Sequence, residues 1–192
     1  MSNATIERKT KETDISVALD IYGSGKVDVE TGIGFFDHML TALAVHAGWN
    51  LTLRAKGDLE VDGHHTVEDV GIALGKALKD ALGDKSGIAR YGHFTLPMDE
   101  SLATASLDLS GRAYLVYDAD FREEPIGELD PQLIAEFFRA FAFNAEMTLH
   151  TRIIYGVNDH HKAEAIFKAV AHALAGATIK AGEGVLSSKG TL

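Results

Sequence analysis

The sequence predicts an α+β fold of two similar tandem halves, each a mostly antiparallel sheet with two helices on one face, packed helix to helix. One observation is a repeated motif: His-His-x-x-Glu occurs at 64–68 and again at 160–164, and the copies start 96 residues apart in a chain of 192. A second is that each copy begins an apolar helix preceded by the same elements: two strands, a helix and a strand. The expected halves are residues 1–90 and 91–192, joined in one compact pseudo-symmetric unit.

The first half begins with a stretch, residues 15–21, in which apolar and polar side chains alternate as in a half-buried strand. Residues 22–25 contain two glycines and turn the chain, so residues 26–30 are expected to return as an antiparallel partner. The elements that follow are a helix at 35–47 ended by Gly48, a strand at 49–55, and a helix from His64 to about Gly83.

The second half is expected to repeat this order. Strands at 101–109 and 113–121 surround a turn at 110–112, and Asp130-Pro131 supplies an N-cap and a first helical residue. The remaining elements are a helix to about Ala145, a strand at 147–155, a helix at 160–180, and a frayed tail at 182–192.

Composition excludes several classes of protein. The formal net charge of −10 argues against a nucleic-acid partner, because duplex binding uses clustered Lys and Arg. No stretch resembles a signal peptide or reaches the roughly 18 apolar residues of a membrane span. We therefore expect a cytoplasmic protein without a membrane partner. The chain has no cysteine, so any metal must bind nitrogen and oxygen ligands, which suits manganese, iron, zinc or nickel.

The spacing within each His-His-x-x-Glu motif indicates two metal ions. Residues three or four apart share a helix face, so Glu68 can share an ion with His64 or with His65. The two adjacent histidines point about 100° apart and cannot easily reach the same ion. A single motif is as often a pair of solvated histidines at a helix N-terminus, but two copies at half-chain spacing favour metal binding.

The repeat also identifies further ligands. Aligning residues 43–51 with 141–149 places His38 opposite Glu136, near the start of the first helix of each half. Helix geometry then suggests two ligand sets, although it allows histidines to be exchanged between them. The sets are His64, Glu136, His160 and Glu164, and His38, His65, Glu68 and His161. Four ligands leave two positions of an octahedral ion open, as catalysis at a metal requires.

Several motifs together resemble the imidazoleglycerol-phosphate dehydratase family of histidine biosynthesis. They lie, in the family's order, at residues 31–40 (TGIGFFDHML), 64–69 (HHTVED), 96–100 (LPMDE), 109–112 (LSGR), 158–165 (NDHHKAEA) and 187–190 (SSKG). The matching positions run from Glu12 to the C-terminus, so the resemblance covers nearly the whole chain.

The resemblance implies a metal-dependent lyase that dehydrates D-erythro-imidazoleglycerol phosphate to imidazoleacetol phosphate. It implies two divalent ions per active site, most characteristically Mn²⁺, and a homo-oligomer of 24 chains with sites at subunit contacts. It also implies a monofunctional form without a phosphatase domain. Metal on the ring nitrogens would stabilise an imidazolate, which expels the hydroxyl to give a diazafulvene-type intermediate.

The resemblance also assigns roles to individual residues. Glu12 and His46 match substrate-contacting positions, and Glu12 and Glu164 are the candidates for proton transfer. The residues that match the substrate- and phosphate-binding positions are Glu12, His46, Arg90, Asp99, Arg112, Lys168, Ser187 and Lys189.

Two positions depart from the pattern. Some members have His where Glu136 stands, and His150 is a nearby alternative ligand. Ala42 replaces an amide of some relatives, which removes one polar contact near the substrate. His93 and His172 are expected to be structural or exposed.

Two other functions fit part of the pattern. A metal-storage protein would hold ions at the twin motifs but would need no phosphate-binding cations. A metal-dependent phosphohydrolase would share both the ions and the cations, and would release inorganic phosphate.

Overall fold

Each half of the chain forms a four-stranded sheet and two helices in the computed structural model, which describes residues 2–122 and 124–191. The first half contains β1 (Asn3–Lys9), β2 (Thr13–Asp20), β3 (Val27–Glu30), α1 (Gly34–Ala47), β4 (Asn50–Gly57) and α2 (His64–Leu82). The second contains β5 (Tyr91–Met98), β6 (Ser101–Asp108), β7 (Tyr114–Asp118), α3 (Gln132–Asn144), β8 (Thr148–Tyr155) and α4 (Asp159–Thr178). The predicted α+β fold of two similar halves is confirmed. The division at residues 90 and 91 stays a prediction.

The two sheets have the same topology, β1-β2-β4-β3 and β5-β6-β8-β7. Their central pairs are antiparallel, but β3 and β7 run parallel to β4 and β8. The expected antiparallel return of residues 26–30 onto β2 is therefore wrong. A parallel pair needs a crossover connection, and α1 supplies one between β3 and β4, as α3 does between β7 and β8.

The sequence prediction missed the first strand of each half. In β1 the side chains only alternate between exposed and half-buried, so residues 3–9 lack the apolar period of a core strand.

The C-terminal tail, which was expected to be frayed, makes hydrogen bonds to the rest of the chain. The backbone N–H of Gly87 donates to the carbonyl of Gly184 (2.7 Å), and Arg90 donates to the carbonyl of Leu186 (2.7 Å). Leu192 lies outside the described residues.

The helices form the contact between the two halves. Helix α2 packs on β1 and β2 and against α3, while α4 packs on β5 and β6 and against α1. Phe36 of α1 meets Phe137 of α3 edge to face, with ring centroids 5.4 Å apart. None of the helices in the described residues is both long and apolar enough to cross a membrane.

Two glycines allow α2 and α3 to approach closely. A Cβ on Gly75 would lie 2.6 Å from the carbonyl oxygen of Phe141, and one on Gly71 would lie 2.8 Å from the Cβ of Ala140. These helices carry predicted metal ligands, so their spacing also sets the spacing of the ligands.

Candidate active site

Helices α1 and α4, which come from different halves, share a line of polar side chains that we call the α1–α4 seam. On α4 these residues recur every four positions and therefore lie on one face. Helix α1 contributes two residues, eight positions apart, that contact this face. The α1–α4 seam consists of His38 and His46 of α1 and His160, Glu164, Lys168 and His172 of α4.

One end of the seam gathers His38, His160 and Glu164, whose ligand atoms lie within 4.8 Å of one another. The Nε2 atoms of His38 and His160 are 3.5 Å and 3.2 Å from Oε2 of Glu164. Phe35 packs against the His160 ring at 5.0 Å and limits its orientation. Across residues 2–122 and 124–191, this is the one group of three His or acidic side chains that meets this distance.

Glu164 is held as a carboxylate although it is only 7% exposed. Burial by itself raises its pKa, but the hydrogen bond and charge of Lys168 (2.6 Å), with His38 and His160, outweigh burial and lower the pKa. Because Lys168 bonds Oε1, the other oxygen faces the two histidines. An ionised oxygen between two imidazole nitrogens is a suitable donor set for a divalent ion.

The other predicted ligands lie elsewhere on the chain. The pairing of His38 with His65, Glu68 and His161 does not occur within one chain, where His38 instead meets His160 and Glu164. His64 and Glu136, predicted in the other set, line one open cleft of 1230 Å³. A single chain thus brings together part of each predicted set.

At the start of α2, His65 is surrounded by acidic groups. Its Nδ1 lies 3.0 Å from Asp58 and 3.9 Å from Glu12, which the turn between β1 and β2 presents. The hydrogen bond to Asp58 raises the pKa of His65, with smaller contributions from the nearby carboxylates, including Glu12. The structure therefore places the candidate proton-transfer group Glu12 beside a candidate ligand.

Arg139, which the sequence prediction missed, links the carboxylates of Glu68 and Glu136. Its Nη2 donates to Glu68 Oε1 (2.8 Å) and to Glu136 Oε2 (2.6 Å), and its Nε also donates to Glu136 Oε2 (2.8 Å). The second oxygen of each carboxylate takes no part in these bonds. A carboxylate oriented in this way by a neighbouring cation is typical of a metal ligand supported by an outer partner.

His161 is held by Glu100, a second residue that the sequence prediction did not single out. The Nδ1 of His161 lies 2.7 Å from Glu100, and its Nε2 lies 3.7 Å from Asp99. The hydrogen bond to Glu100 raises the pKa of His161. Hydrogen bonds from the backbone N–H of Asn158 and from His161 hold the pKa of Glu100 well below its usual range. Glu100 is the last residue of the motif at 96–100, and this motif was the sequence feature that could have identified it.

The predicted phosphate-binding residues fall into two places. Buried Arg90 donates to both oxygens of Asp108 (2.7 and 3.0 Å) and to the carbonyl of Leu186, next to Ser187. Exposed Arg112 lies 3.9 Å from Asp108, and exposed Lys189 lies in the tail. By contrast, Lys168 lies in the α1–α4 seam.

Three further histidines have defined surroundings. His93 on β5 is exposed and hydrogen-bonds Ser106 (2.9 Å), and His150 on β8 is exposed with its ring 6.5 Å from that of Tyr114. His172 is neither isolated nor fully exposed, because its Nε2 lies 3.1 Å from Nδ1 of His46.

Comparisons with known proteins agree with this geometry. The sequence profile of the imidazoleglycerol-phosphate dehydratase family matches residues 31–174. The chain is 56% identical to the imidazoleglycerol-phosphate dehydratase of Streptococcus gordonii over the full length of both chains. It is 55% identical to that of Clostridium botulinum, over all of this chain and 98% of the relative. The crystal structure of the Staphylococcus aureus enzyme superposes with a TM-score of 0.84 at 38% identity, covering 93% of this chain and 99% of that one.

These matches first define a class: the protein is a dehydratase, a hydro-lyase. More particularly, the chain belongs to the imidazoleglycerol-phosphate dehydratase family.

Proposed function

We propose that this chain dehydrates D-erythro-imidazoleglycerol phosphate to imidazoleacetol phosphate in histidine biosynthesis, as a cytoplasmic enzyme. Family membership supports the reaction. The observation that carries it is the group of His38, His160 and Glu164, with Lys168 one helical turn further along α4. Such a site offers donors for a divalent ion beside a cation for an anionic substrate.

We propose that the candidate ligands hold two divalent ions and that these ions are Mn²⁺. Every candidate ligand is an imidazole nitrogen or a carboxylate oxygen, and hard or borderline divalent ions prefer these donors. The residues that would hold the ions are His38, His64, His65, Glu68, Glu136, His160, His161 and Glu164. When bound, such ions would supply Lewis-acid chemistry toward the imidazole of the substrate.

The distribution of ligands supports an active site shared between chains. His38, His160 and Glu164 meet within one chain, whereas His65 and His161 are hydrogen-bonded to separate acidic partners. We propose that neighbouring chains complete the two ligand sets, in an assembly of 24 chains. In a shared site, one chain supplies only part of each ligand set, as His38, His160 and Glu164 do here.

The reaction breaks the C–O bond beside the imidazole ring and the C–H bond of the neighbouring carbon. Through a diazafulvene-type intermediate it gives an enol, which tautomerises to the ketone. Glu12 and Glu164 are the groups that we propose move protons, and His46 is the catalytic residue that we propose contacts the substrate. Lys168 favours the ionised form of Glu164.

The phosphate needs cations that keep donors available. Lys168 has three N–H donors and Arg90 has five. The bonds from Arg90 to Asp108 and to Leu186 leave some of the Arg90 donors free. We propose that these residues, with Asp99 near His161, hold the substrate together with Arg112, Ser187 and Lys189.

The deciding experiment measures turnover of imidazoleglycerol phosphate by metal-stripped protein, before and after Mn²⁺ is added. We expect imidazoleacetol phosphate to form only with the metal, while free phosphate stays at background. Release of phosphate would instead indicate a phosphohydrolase. Metal binding without any turnover would indicate a storage protein.

A matched pair of histidine variants tests the site itself. His65→Ala removes a proposed ligand and is expected to abolish turnover while the protein stays folded. His93→Ala removes an exposed histidine that bonds only Ser106 among the described contacts and should retain activity. Normal turnover by His65→Ala would refute the assigned ligands.

A further inference from the structure

The end of the α1–α4 seam away from the proposed metal ligands holds a pair of histidines, His46 and His172, and the function above gives a role only to His46. Nδ1 of His46 and Nε2 of His172 are 3.1 Å apart, and the two rings meet at 68° with centroids 5.0 Å apart. This is hydrogen-bond distance between two ring nitrogens. The bond joins a proposed substrate-contacting residue to a histidine that has no assigned role.

A hydrogen bond between two imidazoles restricts the protonation of both rings. One of the two facing nitrogens must carry a hydrogen and the other must carry a lone pair. If His172 donates, His46 carries its own hydrogen on Nε2; if His46 donates, its Nε2 is bare. Each direction of the bond corresponds to one tautomer of His46, and in both of them Nε2 is the nitrogen that remains available to a substrate.

Other contacts hold His172 in place. Phe94 of β5 stacks on its ring, with centroids 4.4 Å apart and planes inclined by 23°. Phe94 and His172 belong to elements that pack tightly, since a Cβ on Gly92 would lie 1.8 Å from the carbonyl oxygen of Ala173. The ring that orients His46 is therefore itself oriented by packing between a strand and a helix.

The charged surroundings favour a neutral His46. Burial lowers its pKa, His172 and Lys168 lower it further, and Glu164 acts in the opposite sense. A neutral ring has one donor and one acceptor nitrogen, which is the state in which the tautomer matters.

We propose that His172 is a positioning residue for the dehydration, which fixes the ring orientation and tautomer of His46 through the Nδ1–Nε2 hydrogen bond. This inference rests on the proposed function only for the role of His46 toward substrate. The contact between the two ring nitrogens stands on geometry alone. Two kinds of measurement therefore separate the two claims.

The first measurement is magic-angle-spinning NMR of protein labelled with ¹⁵N-histidine, which works for an assembly of any size. His46→Gln identifies the signals of His46. In the unmodified protein, His46 should show one tautomer with a hydrogen-bonded Nδ1. In His172→Phe, which keeps an aromatic ring but has no nitrogen, the Nδ1 signal of His46 should shift by several ppm. In His172→Gln, whose amide can donate or accept, the signal should stay close to its original position.

The second measurement is steady-state kinetics with Mn²⁺. Loss of one hydrogen bond to a catalytic group is expected to reduce kcat about tenfold in His172→Phe, with KM changed less than about twofold. His172→Gln should retain kcat within about twofold. The matched control is His93→Gln, also on the β5–β6 side of the second half, which should change neither kcat nor the His46 signal.

Specific outcomes would overturn the proposal. Exchange between two tautomers of His46 in the unmodified protein would exclude a fixing bond, and needs no variant to fold. Identical His46 signals in His172→Phe and the unmodified protein would have the same consequence. Equal loss of kcat in His172→Phe and His172→Gln would show that the ring only supports packing. If the unmodified protein does not dehydrate imidazoleglycerol phosphate, the proposed function fails, while the NMR result still decides the hydrogen bond.

Discussion

Gly75→Ala tests whether the close contact between α2 and α3 supports both the fold and the candidate site. A Cβ at this position would lie 2.6 Å from the carbonyl oxygen of Phe141 and 2.9 Å from the Cβ of Asn144. Ordinary van der Waals contact begins at 3.4 Å, so the helices must separate by several tenths of an ångström. The neighbouring atom is backbone and cannot rotate away.

The expected cost follows from two opposing effects. Overpacking a close contact costs about 1–3 kcal/mol, whereas replacing Gly by Ala inside a helix stabilises it by about 0.5–1 kcal/mol. The net loss in the free energy of unfolding is therefore at most about 2.5 kcal/mol, and about 1.25 kcal/mol at the midpoints of the two ranges. For a chain of this size, each kcal/mol lowers Tm by roughly 2–4 °C, so the midpoint value corresponds to a fall in Tm of roughly 2.5–5 °C. Helix separation should also lengthen the Arg139 bridge between Glu68 and Glu136 and weaken Mn²⁺ binding.

The assay is calorimetric unfolding at fixed scan rate and protein concentration, with Mn²⁺ titration of the same samples. Gly176→Ala is the matched control, because it is also in a helix but a Cβ there would have nothing within 4 Å. That variant should keep or raise Tm. An equal or higher Tm for Gly75→Ala than for Gly176→Ala would refute the close-contact explanation.

Two further changes probe the site directly. Mn²⁺ affinity should fall as the pH decreases from above 6.5, because only neutral imidazole binds metal and the bonds to Asp58 and Glu100 raise the pKa of His65 and His161. Glu100→Gln should move the midpoint of this fall to lower pH in Mn²⁺ titrations followed by EPR; an unchanged midpoint would contradict the role of Glu100. Lys168→Met should raise KM for the substrate roughly 10–100-fold, because losing a charge-assisted hydrogen bond to the substrate weakens binding by about that factor. The control Lys76→Met, at an exposed position of α2, should leave KM unchanged. Equal KM values in the two variants would exclude Lys168 as a phosphate contact.

The sequence by itself determined the tandem fold and supplied the candidate ligands. Helical period places His160, Glu164, Lys168 and His172 on one face whatever the rest of the chain does, since residues four apart share a face. The repeat then located His38 opposite Glu136, because a duplicated fold reuses equivalent positions. The first relation depends on the spacing of residues within one helix and the second on the spacing between the two repeats. Both spacings can be read directly from the sequence.

Only the tertiary structure decided which of these residues meet. It paired His38 with His160 and Glu164, joined Glu68 to Glu136 through Arg139, and set His172 against His46. It also made β3 and β7 parallel edge strands. Each of these contacts depends on how helices or strands far apart in the chain pack against one another. The periodicity of one segment specifies which face it buries, but not which residue of a distant segment lies against that face.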